Sequence, residues 1–67
     1  MQDFQVRVVN EQTELNGKLV KLIEFTTTDT YRKLNKGDRR LLDAQAGAMT
    51  DYNSVLAQRI ARFVDDG

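Results

Sequence analysis

Apolar residues recur along two stretches of this chain at the period of an α-helix. In the first, Val8, Leu15, Leu19 and Leu22 follow Phe4, and Gln12 falls on the same stripe. In the second, residues 38–64, Leu42, Met49, Leu56 and Phe63 stand seven residues apart with no proline between them. Gln45, Tyr52 and Arg59 fall into that second stripe at the intervening positions. Three polar-headed side chains on a burying face have two readings: a satisfied polar network in a bundle core, or the lining of a cavity that receives a polar ligand.

The breaks between the stripes set the elements. Asp3 is the expected N-cap of the first helix. That helix should end between Phe25 and Thr28, because the hydroxyls and carboxylate of Thr-Thr-Thr-Asp-Thr compete for backbone hydrogen bonds. Tyr31 to Leu34 predicts a single helical turn whose Tyr31 and Leu34 fold back over the end of the structure. Asn35 with Asp38 three residues later forms a weaker relative of the capping box, and the second helix follows it for about 28 residues.

Two long helices joined by a short connector predict an all-α fold, an antiparallel two-helix hairpin in which residues 1–67 form one domain. Facing stripes align Val8 with Leu56, Gln12 with Tyr52, Leu15 with Met49, Leu19 with Gln45, Leu22 with Leu42, and Gln5 with Arg59. Phe4, Val9, Val20, Ile23, Phe25, Val55 and Val64 are then left over on other faces. Their exposure, together with the marginal stability of so short a chain, predicts a homo-oligomer: at least a dimer forming an oligomeric helical bundle. Gly17 and Gly47 lie level with each other and point away from the facing stripe, either as neutral surface positions or where a second copy or ligand approaches the backbone.

Composition narrows the chemistry. The chain has no cysteine and no histidine, which removes disulfides, the usual zinc ligands and the common activated nucleophiles. No metal, cofactor or catalytic residue is expected, and paired carboxylates such as Glu11 with Glu14 or Asp43 with Asp51 read as solvated helix faces. Ten Lys and Arg balance ten Asp and Glu, which argues against a DNA or RNA partner. Neither a membrane span nor a signal peptide is apparent, so the expectation is a cytoplasmic protein with no membrane partner.

Binding is a better fit than catalysis. Arg7, Lys18 and Lys21 on the first helix, and Arg59 and Arg62 on the second, place cations beside the polar stripe. Guanidinium and ammonium groups suit phosphate oxygens, a glutamine can pair with a base edge, and a tyrosine ring can stack on a base or close a pocket. The candidate ligand-binding set is Arg7, Lys18, Lys21, Tyr31, Gln45, Tyr52 and Arg59. A second basic cluster, Arg32, Lys33, Lys36, Arg39 and Arg40, reads as a solvated turn at a helix start that also attracts anions.

The pattern DFQxRVxxExxELxxKLxKLxxF followed by LLxxQxxAMxxYxxVLxxRI resembles a group of small helical-hairpin proteins of bacteriophages and prophages, including crAss-like phages. The resemblance implies a sponge that sequesters, without turnover, the cyclic dinucleotide signals of the CBASS anti-phage pathway, such as cGAMP, in the host cytoplasm during infection. Arg7, Glu11, Lys18, Lys21, Gln45, Tyr52 and Arg59 stand at positions matching that pattern. The connector departs from it: Tyr31 stands in place of a phenylalanine, and Asn35, Lys36 and Gly37 replace a proline-led acidic stretch. The alternative is a phage scaffold or protein-interaction module with no nucleotide ligand.

Overall fold

The computed structural model describes the backbone of residues 1–66 and side chains through Phe63; Val64 as a leftover apolar group, and Asp65, Asp66 and Gly67 as an acidic tail, lie outside the described side chains. Three helices follow in order: α1 (Asp3–Phe25), α2 (Asp29–Lys33) and α3 (Lys36–Asp66). Among the described residues there is no strand. α1 and α3 pack side by side in a rod of 49 × 14 × 14 Å. The beginning of α1 meets the end of α3, where the Phe4 and Phe63 rings stand edge to face at 5.9 Å. Farther along, Glu11 is bonded to Tyr52.

Local hydrogen bonds explain the helix ends. The N-cap of α1 is Gln2 rather than Asp3, because the Gln5 side chain reaches back to accept from the Gln2 N–H at 2.8 Å. Asp3 instead sits in the first turn, where its charge complements the helix dipole. At the other end, the hydroxyls of Thr26, Thr27 and Thr28 donate to the carbonyls of Ile23, Glu24 and Phe25 at 2.6–2.7 Å. Thr28 then turns its oxygen to the Tyr31 N–H and caps α2. Asn35 and Asp38 form the expected reciprocal cap of α3, with Asn35 Oδ1 accepting from the Asp38 N–H at 2.9 Å and its amide donating to the Asp38 carboxylate at 3.0 Å.

The seam of α1 is the expected one. Val8 and Leu19 are buried, and Gln5, Gln12, Leu15 and Leu22 are half-buried between and around them. The seam of α3 differs by a rotation of one residue. Its covered positions are Leu42, Ala46, Met49, Asn53, Leu56, Ile60 and Phe63, and Gln45, Tyr52 and Arg59 are exposed. Leu42, Met49, Leu56 and Phe63 belong to both patterns, because a companion three residues on or four residues on satisfies a helical period equally well. Desolvation decides between them. Seating Ala46, Asn53 and Ile60 at the seam leaves a guanidinium and a phenol in water, whereas the other choice would bury both. The expected pairings of Leu19 with Gln45, Gln12 with Tyr52 and Gln5 with Arg59 as core layers are therefore corrected.

The resulting core is thin. Among the described residues Val8, Leu19 and Leu56 are its buried members, and Leu56 is 0% exposed. Phe4, Val20, Ile23 and Val55 are exposed as anticipated, joined by Val6 and Leu41. Phe25 is half-buried because Tyr31 folds back against it, edge to face at 6.2 Å. A Cβ built on Gly17 or Gly47 meets nothing within 4 Å, so both positions open outward.

Candidate functional site

The rotation of α3 moves the polar stripe out of the core and onto one flank. Gln45, Tyr52 and Arg59 are seven residues apart and therefore share one side of the helix, with Leu41, Ala48 and Val55 interleaved at helical spacing. On α1, Arg7, Glu11 and Lys18 fall on a common side by the same rule. The Tyr52 hydroxyl donates to Glu11 Oε1, which sets these two sides next to each other. The outcome is a continuous flank bearing Arg7, Lys18 and Arg59 as cations, Gln45 as an amide and Tyr52 as a ring that is 43% exposed. Lys21 is exposed on α1, farther round the helix than Lys18.

The electrostatics of the flank centre on Tyr52. Donation to the Glu11 carboxylate raises the phenol above its ordinary value of 10.0, helped by partial desolvation and by the Glu11 charge, while the nearby Arg59 charge acts in the opposite direction. The phenol is thus neutral and fixed in orientation near pH 7. Gln45 makes only a weak contact, its amide 3.8 Å from the Met49 sulfur, and remains available to a better acceptor or donor.

Tyr31 belongs to a different place, the tip formed by α2 and the start of α3. Its hydroxyl donates to Asp43 Oδ1 at 2.6 Å, and that bond, with desolvation and the Asp43 charge, raises its pKa against the opposing charge of Arg39. Tyr31, Lys36, Arg39, Arg40 and Asp43 line an open concavity of about 250 Å³. Six of the seven candidates thus lie along the two long helices, five of them on the shared flank, and Tyr31 does not join them. Lys36, Arg39, Arg40 and Asp43 repeat at three, four and seven residues, one face of a helix, which is the signal that could have singled them out from the basic run. Among the described residues, no group of His, Cys, Asp or Glu gathers as a metal site, and no helix is long and apolar enough to cross a membrane.

The Sequestin family model matches residues 2–62, nearly the whole chain, including both long helices up to Arg62 and the tip between them. No characterised protein and no solved structure matches the chain.

Proposed function

We propose that this chain, which belongs to the Sequestin family, withdraws a small phosphorylated nucleotide from solution by holding it between copies of a two-helix hairpin, with no chemical turnover. The observation that carries this reading is the flank itself. Three cations, an amide with no strong partner and a half-exposed phenol ring held by the Glu11 carboxylate share one face outside the core. These are the groups that recognise phosphate oxygens, a base edge and a base face. The family name, which speaks of sequestering, points the same way.

A cyclic dinucleotide such as cGAMP is the ligand we assign to this flank, and interception of a CBASS signal in the infected host's cytoplasm is the role. Its two phosphodiesters match cations on both helices, and its two bases match a site with stacking and edge contacts. A single rod 14 Å across offers a face rather than an enclosure. A second copy would supply the opposite wall, and Leu41 and Val55, 70% and 51% exposed beside the polar residues, would give it apolar contact.

Titration calorimetry with cGAMP tests this assignment. Arg59→Ala and Tyr52→Ala, which remove a charged donor and the stacking ring, should each weaken binding by about tenfold or more while helical content stays unchanged. Unchanged affinity in both variants would remove the flank from the account. Sedimentation at micromolar concentration should give a dimer or larger species, and a monomer that still binds would contradict the inter-subunit cleft. A scaffold or protein-interaction role is the second reading, favoured by exposed Val6, Val20 and Ile23 on α1; it gains if no nucleotide binds.

A further inference from the structure

At the tip a concavity and an unbalanced charge coincide. Lys36, Arg39 and Arg40 face it together with a single carboxylate, Asp43, whose Oδ1 is engaged by the Tyr31 hydroxyl. Among the described residues the ion pair is Arg32 with Asp29, outside this group, so none of the three cations has a carboxylate within salt-bridge distance. Arg39 is half-buried, and its Nε has neither a hydrogen-bond partner nor access to solvent, so packing fixes the stem of its side chain. The backbone at the start of α3 does not provide the site, since Asn35 already accepts from the Asp38 N–H through its side chain and from the Arg39 N–H through its carbonyl. What remains is a cradle of side-chain cations.

From this geometry we propose that the tip concavity is a second anion site, distinct from the flank, which takes the terminal phosphate or diphosphate of a small phosphorylated molecule. It is an open depression of about 250 Å³, below the roughly 300–1,000 Å³ of sites that enclose a drug-sized ligand, so it suits the grip of a terminal phosphate group while the rest of the molecule stays in solvent. Arg39 and Arg40 supply forked donors to the phosphate oxygens, and Lys36 adds a point charge. Tyr31, held by Asp43 and braced on Phe25, lines the same concavity. This site does not depend on the flank binding a nucleotide.

Titration of the ¹⁵N-labelled full chain with inorganic pyrophosphate, followed by amide chemical shifts, tests the proposal. The expected result is saturable shifts confined to Tyr31 and residues 36–43, with the amides around Tyr52 and Arg59 unmoved. Arg40→Gln, at an exposed position that leaves the packing intact, should weaken pyrophosphate by about tenfold, as removal of a charge-assisted hydrogen bond does. Arg39→Gln should weaken it at least as much. Shifts that grow linearly and match those caused by chloride at equal ionic strength would overturn the site, as would an Arg40→Gln protein that binds with undiminished affinity. Shifts centred on the flank would also overturn it, by placing the anion with Arg59 instead.

Discussion

Asn53 gives the most direct handle on how α3 is seated. It occupies a covered seam position beside the fully buried Leu56, and its side-chain oxygen is shut off from solvent without a hydrogen-bond partner. A shielded acceptor left unpaired costs about 1–3 kcal/mol, and this residue is only half-buried, so the lower part of that range applies. Asn53→Leu removes the unpaired acceptor, adds apolar contact along the seam and gains a few tenths of a kcal/mol in helix propensity. The expected result is a stabilisation of about 1–2 kcal/mol. For a chain this small that corresponds to a rise in Tm of about 4–16 °C. Urea and thermal denaturation followed by circular dichroism at matched protein concentration would measure it, with the urea slope unchanged. Unchanged stability would mean that position 53 faces water, and destabilisation that it has a polar partner; either result would refute the seating of α3 derived above.

Three further outcomes follow from the packing and hydrogen bonds. Leu56→Ala, at a fully buried side chain, should cost about 2–5 kcal/mol and leave a chain of this size largely unfolded by circular dichroism at 25 °C. Gly17→Ala and Gly47→Ala open onto free space in mid-helix and should each stabilise by about 0.8–1 kcal/mol in chemical denaturation; a loss instead would place another chain against those backbones. The Tyr31 and Tyr52 phenols are raised above 10.0 in the folded state by donation to Asp43 and Glu11. Their stabilising contribution is complete below pH 10 and is lost as pH rises through the folded values, so stability should fall in that alkaline range, and Tyr31→Phe with Tyr52→Phe should flatten the profile.

The parts of the fold written in local chemistry were legible from the residues. The threonine run that stops α1, the Asn35–Asp38 cap and the return of Tyr31 over the end of the helices all rest on side chains close in sequence, although Phe25, read as left over for another copy, proved to be what Tyr31 covers. The α1 seam was legible too, because Leu15 and Leu19 carry it through the middle of the helix, where the rival stripe of Val6, Val9, Val20 and Ile23 is interrupted by Thr13 and Asn16. On α3 two stripes share four residues, and periodicity cannot rank them. The ranking came from the cost of burying Arg59 and Tyr52, which is a property of the packed pair of helices.

The candidate site shows the same division. Arg7, Lys18, Gln45, Tyr52 and Arg59 were recognisable as a set because their spacings are helical, yet their setting changed from core layers to an outer flank once α3 turned. The tip concavity was hidden for a different reason. Tyr31 and Asp43 are twelve residues apart, and only the fold of α2 onto α3 brings the phenol to the carboxylate and shapes the open concavity beside Arg39 and Arg40. Helical spacing could have put Lys36, Arg39 and Arg40 on one face, but not shown that Tyr31 returns beside them to form a concavity.

Sequestration itself is tested most directly by depletion and recovery. The protein at excess is incubated with a panel of cyclic dinucleotides and linear nucleotides, the mixture is ultrafiltered, and the filtrate and the heat-denatured retentate are both chromatographed. Loss of a cyclic dinucleotide from the filtrate, with the same molecule recovered intact from the retentate, is the predicted result. Recovery of a cleaved product, or a filtrate that retains every nucleotide in full, would contradict it.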